Sequence, residues 1–414
     1  MVAGNSVIGV SLSVCSTTGI TIIRDLTTQA RSVSIGIYIR SGSAHETAQE
    51  SGVSHFLEHL VFKGLVNERS EITEAMADLG SHSNAYTTDE HTSFYATCLP
   101  EVANETLTLM LQLLHPKFTK DDVALERAVI LEEMRQYRDD PGYAVHEKGL
   151  KFFSPRHPLT KPIIGNEASL KKLTKESIER FFFQRYQPQR IVVVACGACA
   201  NCDVEGLLAK HANHLKSAVV ENSAVERFAT VKARRGVQRI SKRGILTSHL
   251  VGFWPGVAEN DPRKFALELW CDIIGAGSRA AWKLVEPGIA DSVGLSCEPR
   301  IDTGYVMLSA HGNHDRMPEI EAELGRILLD SIVNPITEDE LNQSKAMTHF
   351  ALASSSETPA SKMSAHGEHW LTHGTPYPLD TEQAAFASVT LADVNQFAKN
   401  FPLSDAALTI LSPE

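Results

Sequence analysis

Hydrophobic and polar positions follow two periods along the chain, and together they predict a mixture of strands and helices. Apolar and polar residues alternate over 32–41, as in a half-buried strand, whereas 190–196 is a nearly continuous apolar run, typical of a buried strand. Helical spacing extends over 121–138 and ends at the sequence Asp-Asp-Pro-Gly of 139–142, which is a helix stop signal. The remaining predicted strands are 93–99, 248–253 and 304–310, and the remaining predicted helices are 54–62, 71–79, 101–114, 174–186, 262–274, 318–333 and 338–353.

The order of strands and helices in the first half of the chain returns in the second half. This repetition indicates a duplicated α+β unit. Residues 217–243 separate the halves, and they are polar and basic without a strong period. We therefore predict a first domain over 1–216, a linker region over 217–243 and a second domain of similar fold over 244–414.

Composition and charge exclude several classes of protein. The 414 residues are 43% hydrophobic and 21% charged, an ordinary globular composition that excludes disordered and fibrous chains. The net charge of −11 disfavours binding to nucleic acid or anionic membranes, and no apolar run is long enough to span a bilayer. The first 26 residues lack a basic segment and predict strands, not a signal peptide, and the seven scattered cysteines are typical of a reducing compartment. We expect a cytoplasmic location, with the periplasm as the open alternative.

The strongest candidate for chemistry is the segment 55–59, His-Phe-Leu-Glu-His. On a helix, His55 and His59 lie about 40° apart and Glu58 lies about 60° to the other side of His55, so that all three share one face. Two imidazoles one turn apart can bind one zinc ion and leave Glu58 free to act on a water molecule. This is the H-x-x-E-H order of one class of zinc peptidases, although the pentapeptide alone also fits a helix whose histidines only pack.

A zinc site of this kind needs a third protein ligand, usually a carboxylate. The predicted helix over 121–138 offers Glu126 and Glu133, which are seven residues apart and therefore about 20° apart on one face. One carboxylate could bind the metal while the other supports the site from behind. Glu132 points well away from that stripe, but the sequence alone leaves it as the competitor.

Three longer segments, supported by two shorter ones, resemble a single family. The longer ones are HFLEHLVFKG at 55–64, GSHSNAYT at 80–87 and ERAVILEE at 126–133, and the shorter ones are HPL at 157–159 and PIIG at 162–165. In order and spacing they resemble the pitrilysin-like (inverzincin) zinc metallopeptidases, in the half-length branch that includes mitochondrial processing peptidase and its bacterial relatives. The resemblance implies two similar α+β domains, each a mainly antiparallel sheet with helices packed on it. It also implies that the chain forms half of a clam-shell chamber and works as a dimer.

The same resemblance implies a role for each residue of the motifs. His55, His59 and Glu133 would bind one Zn²⁺ per chain, with Glu58 as general base, and Glu126 matches an auxiliary acidic position beside the ligands. The implied activity is that of a zinc metalloendopeptidase acting on peptides or extended, unfolded segments. Glu58 would take a proton from the attacking water and pass it to the leaving amine.

Asn84 and Ala85 fall where members of the family have a substrate-binding edge strand. A peptide would add there as an extra strand through main-chain hydrogen bonds, which tolerates many sequences. We therefore expect a peptide or unfolded protein as substrate, and no nucleic acid or membrane as partner.

The chain departs from the family where an arginine and a tyrosine in the second half normally hold the substrate. Val285 stands where the arginine is expected and Asp291 where the tyrosine is expected, and neither can donate a hydrogen bond to an oxyanion as those residues would. We favour a partner subunit that supplies the pair. The dimer implied by the resemblance is expected as a homodimer or as a heterodimer with a related subunit, and the latter is the one that can carry the pair. The alternative is that Arg279, His311 or Tyr305 of this chain replaces it.

Other interpretations stay open. The chain could be a non-catalytic scaffold subunit, as in respiratory complexes with core proteins that resemble this family, or a zinc-binding protein without turnover. A second metal site has two sets of candidate ligands, Cys196, Cys199 and Cys202 in one and His366, His369 and His373 in the other. Unliganded thiols and a solvated or packed histidine face are the interpretations we favour for these residues.

Overall fold

The fold is given by a computed structural model, which describes residues 9–63, 65–66, 70–115, 117–215, 228–275 and 279–414. Its contacts divide the chain into two compact units. The first unit consists of Met1–Glu133, Lys161–Glu226 and Ala353–Pro378, and the second consists of Met134–Thr160, Arg227–Leu352 and Leu379–Glu414. Each unit therefore includes a segment from the other half of the sequence.

Each unit is built on one main sheet. The strands of the first unit are β1 (Val10–Val14), β2 (Thr21–Leu26), β3 (Val33–Ile39), β4 (Leu65–Val66), β5 (Ser70–Glu71), β6 (His82–Thr87), β7 (Thr92–Cys98) and β8 (Ile191–Gly197). Those of the second are β9 (Gly236–Lys242), β10 (Thr247–Pro255), β11 (Ser292–Pro299), β12 (Gly304–Asn313) and β13 (Ala407–Pro413). The strand orders are β1-β2-β8-β3-β7-β6 and β11-β12-β10-β13-β9, and β4 and β5 form a separate short hairpin.

Five strands of the first main sheet have the same topology as the five of the second, and β1 is an additional outer strand of the first. In the first, β8 lies parallel to β2 and antiparallel to β3, whose other neighbour is β7 of the β6–β7 hairpin. In the second, β13 lies parallel to β9 and antiparallel to β10, whose other neighbour is β12 of the β11–β12 hairpin. All other pairings are antiparallel. The predicted α+β fold of two similar, mainly antiparallel units is therefore confirmed.

Helices pack on both sheets. They are α1 (Val53–Val61), α2 (Ile72–Asp78), α3 (Ala103–Gln112), α4 (Lys120–Asp139), α5 (Pro141–Phe153), α6 (Glu167–Leu170), α7 (Lys175–Arg185), α8 (Val204–His211), α9 (Lys264–Ile274), α10 (Met317–Val333), α11 (Glu338–Ser354), α12 (Pro359–His373), α13 (Leu379–Ser388) and α14 (Leu391–Asn400). Helix α12 packs on β3 and β8, and α5 packs on β10 and β13. Each sheet is thus covered by one helix whose sequence lies in the other half of the chain.

Glycine at position 367 allows α12 to lie directly on β3. A Cβ on Gly367 would lie 2.3 Å from the ring of Tyr38, and a Cβ on Gly36 of β3 would lie 2.5 Å from the same ring. Tyr38 is fully buried between them. Because a side chain at either glycine would overlap this ring, the close approach of helix and strand depends on both.

Two of the segments in which the structure differs from the sequence prediction are 139–142 and 217–243. The stop signal at 139–142 ends α4, but Asp140 also caps the next helix by accepting a hydrogen bond from the N–H of Tyr143, so that α5 begins at once. Strand β9 lies within 217–243, the predicted linker. Among the described residues it pairs with β13 alone, and it is largely exposed, so its apolar period is weak. Residues 217–227 of that segment lie outside the described residues. The domain bounds at 216 and 244 stay a prediction.

Within the ranges given above, no helix is both long enough and apolar enough to cross a membrane. The cytoplasmic location stays a prediction.

Candidate metal centre

Helix α1 carries the H-x-x-E-H segment and begins at a glycine. Gly52 has a φ of 90°, where a side chain is strained, and a Cβ on it would lie 2.7 Å from the carbonyl oxygen of Ile164. The Glu46 carboxylate accepts hydrogen bonds from the backbone N–H groups of Gly52 and Ser54, both at 2.8 Å. These bonds satisfy N–H groups at the start of the helix, and they hold the turn on which His55 lies.

Helix α4 supplies Glu126 and Glu133. Arg127 of the same helix donates hydrogen bonds to the carbonyl oxygens of Leu170 and Leu173, at 3.0 and 2.7 Å. These bonds anchor α4 within the first unit. The two carboxylates are seven residues apart on one face of the helix, and both point toward α1.

The three predicted zinc ligands come together in the structure. Nε2 of His55 lies 3.8 Å from Oε1 of Glu133, and Nε2 of His59 lies 3.6 Å from Oε2 of the same carboxylate. One ligand atom from each residue lies within 4.8 Å of the other two. Glu132 is exposed and is not part of this group.

The donor set fits Zn²⁺. Oε2 of Glu133 and Nδ1 of His55 are buried and, in the described part of the chain, have no hydrogen-bond partner. A buried carboxylate oxygen in that state is costly unless a ligand satisfies it. Two imidazoles and one carboxylate around one point are the protein ligands of a catalytic zinc site, which keeps a further position open.

Burial lowers the pKa of His55, the first histidine of the segment, and this favours metal binding. Removal from water, and next the charge of His59, lower the pKa of His55 to about 3. His55 is therefore neutral at pH 7, the form whose nitrogen lone pair can bind a metal.

Glu126 lies behind His59 and is buried. Its Oε2 lies 3.1 Å from Nδ1 of His59, and its Oε1 lies 3.3 Å from Nζ of Lys63. Lys63 also donates to the carboxylate of Glu71 at 3.3 Å. A carboxylate next to Nδ1 favours the tautomer with the proton on Nδ1, which leaves the lone pair of Nε2 directed toward Glu133.

Glu58 receives a hydrogen bond from the end of strand β6. The Thr87 hydroxyl donates to Oε2 of Glu58 at 2.5 Å. Burial raises the pKa of the Glu58 carboxyl above its ordinary value, while the Thr87 hydrogen bond acts in the opposite direction. A raised pKa increases the proton affinity of a carboxylate, which suits a general base.

Strand β6, which carries Asn84 and Ala85, is an outer strand of its sheet as far as the structure describes it. Oδ1 of Asn84 accepts a hydrogen bond from the N–H of Ala85 at 2.8 Å. Tyr86 points to the opposite face from Thr87, where its hydroxyl donates to Glu368 of α12 at 2.7 Å. In the described part of the chain, one edge of β6 is therefore unpaired, and hydrogen bonds from Tyr86 and Thr87 fix its two faces.

The sequence motifs gave no role to three side chains that complete this site. Lys63 lies one helical turn after His59, and Thr87 ends the segment 80–87, so both could have been found from helical and strand geometry around the motifs. Glu46 carries no sequence signal beyond being an acidic residue shortly before Gly52.

A second cluster of possible metal ligands is satisfied internally. Ligand atoms of Asp25, Cys196 and His366 lie within 4.8 Å of one another, and all three residues are buried. Nδ1 of His366 accepts the backbone N–H of Tyr377 at 3.0 Å, so that Nε2 carries the proton and donates to Asp25 at 3.3 Å. The Lys362 ammonium lies 3.2 Å from the same carboxylate. Hydrogen bonds and an ion pair therefore occupy the groups that a metal would need.

The remaining thiols and histidines do not form a metal group in the described ranges. Cys199 is buried and its thiol lies 3.4 Å from the carbonyl oxygen of Ala195. The rings of His369 and His373 stack with centroids 4.2 Å apart, and Nδ1 of His369 lies 2.9 Å from the carbonyl oxygen of Thr375.

The positions of the expected arginine and tyrosine lie in the second unit. Val285 packs, partly buried, against the apolar core of that unit. Asp291 is exposed, and its carboxylate lies 3.7 Å from Nε2 of His311. Nδ1 of His311 lies 2.6 Å from the hydroxyl of Ser292.

Two of the three residues considered as replacements are engaged elsewhere. Arg279 forms a bidentate ion pair with Glu340, at 2.7 and 3.0 Å. Tyr305 is 5% exposed and belongs to an apolar cluster of the second unit. The side chain of His311 is 38% exposed, and it is the accessible one of the three.

Two family models match the chain in succession. The model described as Insulinase (Peptidase family M16) matches residues 21–167, and the model described as Peptidase M16 inactive domain matches residues 172–348. The first match includes every residue of the candidate metal centre.

Relatives of similar length support the same grouping. The chain is 29% identical over 403 residues to YmxG of Bacillus subtilis, named an uncharacterized zinc protease, with 95% of this chain and 96% of the relative covered. A crystal structure of a protease from Helicobacter pylori superposes with a TM-score of 0.88 at 19% identity, covering 98% of this chain and 100% of that one. A chain of complex III2 from Candida albicans superposes with a TM-score of 0.82 at 17% identity, covering 98% and 96%. At these identities the two structures show a shared fold.

Proposed function

The chain belongs to the M16 peptidase family, in its half-length branch, and from this premise we propose that it is a zinc-dependent endopeptidase that hydrolyses peptides or extended, unfolded segments. One observation carries the proposal. The ligand atoms of His55, His59 and Glu133 lie within 4.8 Å of one another, and Glu58 is on the same short helix.

His55, His59 and Glu133 would hold one Zn²⁺ per chain, and Glu126 would support His59. Zinc in such a site polarises a peptide carbonyl and lowers the pKa of water to about 7, which is the chemistry that peptide hydrolysis needs. His55 is neutral at pH 7, and Glu126 favours the His59 tautomer with a free Nε2, so that both imidazoles are prepared as ligands.

Glu58 would act as the general base. It would accept a proton from the attacking water and deliver it to the nitrogen of the leaving amine. Its raised pKa, caused by burial, brings its proton affinity closer to that required near neutral pH.

The substrate would add to the free edge of β6 at Asn84 and Ala85. Main-chain hydrogen bonds to an edge strand require an extended peptide and tolerate varied side chains. For this reason we expect unfolded segments, and not folded proteins, to be cleaved.

A partner subunit would supply the arginine and tyrosine that Val285 and Asp291 replace. Support for this comes from Arg279, which is held by Glu340, and from Tyr305, which lies in an apolar core. The partner would be a related chain that carries the pair, because a second copy of this chain has the same Val285 and Asp291.

The second candidate function is a catalytically silent subunit that binds zinc or serves as a scaffold in a heterodimer. The absent pair favours it, as does the shared fold with a chain of complex III2. The complete ligand set around Glu133 favours the peptidase, because a purely structural subunit has no need of an orphaned buried carboxylate oxygen.

A cleavage assay tests the proposal. The purified, zinc-loaded chain is incubated with a mixture of unstructured peptides, and products are identified by mass spectrometry, with Glu58→Gln as the matched control. Cleavage by the wild type that Glu58→Gln abolishes, with zinc still bound to the variant, supports the endopeptidase. Bound zinc without cleavage, in the chain alone and after addition of a related subunit, supports the silent alternative.

A further inference from the structure

Thr87 connects the outer strand of the first sheet to the general base of the proposed reaction. It is the last residue of β6, and its hydroxyl donates to Oε2 of Glu58, which lies 29 positions earlier, at 2.5 Å. Among the described residues, Oε2 is the Glu58 oxygen that accepts a hydrogen bond. Oε1 is therefore the oxygen available for proton transfer.

The backbone that carries Thr87 is held tightly. Thr87 pairs with Thr92 across the β6–β7 hairpin, and the N–H of Thr88 donates to the carbonyl oxygen of His91 at 2.8 Å. The backbone N–H of Ser43 donates to the carbonyl oxygen of Thr88 at 3.1 Å, which fixes the turn from outside. Because this backbone is fixed, the position of the Thr87 side chain is restricted. Its hydroxyl can therefore determine the orientation of the Glu58 carboxylate.

Thr87 also shares a strand face with Ala85, because side chains alternate along a strand. The face that bears Thr87 is directed toward α1, whereas Tyr86 points to α12 on the other side. A peptide added along the edge of β6 would therefore run beside the residue that holds the general base.

We propose that Thr87 is a positioning residue that fixes the orientation of Glu58 through its hydroxyl and so aligns the general base with a substrate docked on β6. This inference rests on the proposed endopeptidase function. A hydrogen bond from a neutral hydroxyl to a carboxylate restricts the carboxylate to one rotamer, and misplacing a general base lowers the rate of the chemical step.

The test compares Thr87→Val, which has the same shape without the hydroxyl, with Thr87→Ser, which keeps it. We expect Thr87→Val to lower kcat for peptide cleavage about 10- to 100-fold, with little change in KM, as for loss of one hydrogen bond to a charged group. Thr87→Ser should stay within about threefold of the wild type. Thr108→Val on α3, whose hydroxyl bonds to the carbonyl oxygen of Asn104, is the control for replacing a threonine elsewhere in the same unit.

Two measurements do not depend on activity. The zinc dissociation constant, from competition with a chelator, should be the same for Thr87→Val and the wild type, since the Thr87 hydroxyl donates to Glu58, which is not a proposed ligand. Crystal structures of the zinc-free wild type and variants should show that Glu58 changes its rotamer in Thr87→Val and keeps it in Thr87→Ser. If Thr87→Val does not fold, Thr87→Ala replaces it in each comparison.

The outcomes separate this inference from the proposed function. Wild-type kcat in Thr87→Val, or failure of Thr87→Ser to restore kcat, overturns the positioning role while cleavage dependent on Glu58 still supports the peptidase. If the wild type does not cleave either alone or after addition of a related subunit, or if Glu58→Gln cleaves equally well, the proposed function fails. In that case an unchanged Glu58 rotamer in Thr87→Val also overturns the positioning role, and a changed rotamer supports it.

Discussion

Nδ1 of His59 lies 3.1 Å from Oε2 of Glu126, and this contact joins α1 to α4 behind the proposed zinc ligands. The two helices thereby share one network, in which Lys63 neutralises the buried Glu126 carboxylate. Support of this kind determines which nitrogen of a histidine faces the metal and how firmly the ring is held. Changes in this network should therefore alter metal binding.

Removing either supporting charge should weaken zinc binding. We expect Glu126→Ala to raise the zinc dissociation constant about 10- to 100-fold, and Lys63→Met to act in the same direction, because each disturbs the partner of His59. Lys120→Met is the control, since Lys120 forms an exposed ion pair with Glu176. Competition with a chromogenic chelator measures the constants. Equal constants for Lys63→Met and Lys120→Met would contradict the role given to Lys63.

Zinc should bind at one site per chain. His59→Ala should remove it, whereas His366→Ala should leave the zinc content at about one ion per chain, because Lys362 and hydrogen bonds already satisfy Asp25 in that cluster. Metal analysis of the dialysed proteins checks the prediction. Loss of zinc in His366→Ala with retention in His59→Ala would reverse the assignment of the two clusters.

Glu46 should matter for the stability of the first unit. Glu46→Ala leaves the N–H groups of Gly52 and Ser54 without their acceptor, and we expect it to lower the free energy of unfolding by about 1–3 kcal/mol. Glu50→Ala is the comparison, because the Glu50 carboxylate accepts its hydrogen bonds from Thr47 in an exposed turn. Urea unfolding followed by circular dichroism gives both values, and a cost no larger than that of Glu50→Ala would show that the cap is dispensable.

The packing of α12 on β3 should not tolerate a methyl group at position 367. The added Cβ of Gly367→Ala would overlap the Tyr38 ring, and we expect a loss of about 1–3 kcal/mol in the free energy of unfolding. Gly325 lies inside α10 with open space around it, and Gly325→Ala should instead stabilise the protein by up to about 1 kcal/mol through helix propensity. Thermal unfolding of the two variants should shift in opposite directions. Equal shifts would mean that the close approach is unimportant.

The ion pair between Arg279 and Glu340 should make stability depend on pH in the acid range. The hydrogen bonds from Arg279 lower the pKa of Glu340 to about 2, below its ordinary value near 4.5. A carboxyl group whose pKa is lower in the folded state stabilises that state at pH values above the pKa that it has in the unfolded state. This stabilisation is lost as the pH falls from about 4.5 to about 2. Arg279→Met should therefore reduce the free energy of unfolding by about 1 kcal/mol at pH 7 and by less at pH 2.5. Urea unfolding at the two pH values decides the matter, and an equal loss at both would exclude this origin.

The sequence predicted most of the local structure, including the strand over 32–41 and the helix that carries His55 and His59. It did not predict α5, because the residues that end α4 also begin the next helix, and a stop signal carries no information about the element after it. It did not predict β9 either, since an exposed outer strand has little apolar period to detect. Both segments acquire their structure from partners that are distant in the chain.

The sequence by itself determined that His55, Glu58 and His59 share a helix face, that Glu126 and Glu133 share another, and that the fold is α+β. These are consequences of local geometry, since the helical period fixes which residues lie together within a few turns. Only the tertiary structure decided that Glu133 and not Glu132 lies with the two imidazoles, that Lys63 contacts Glu126, and that Thr87 contacts Glu58. Those contacts depend on how helices pack against each other and against the sheet, and packing is set by the whole set of buried surfaces and not by any one segment.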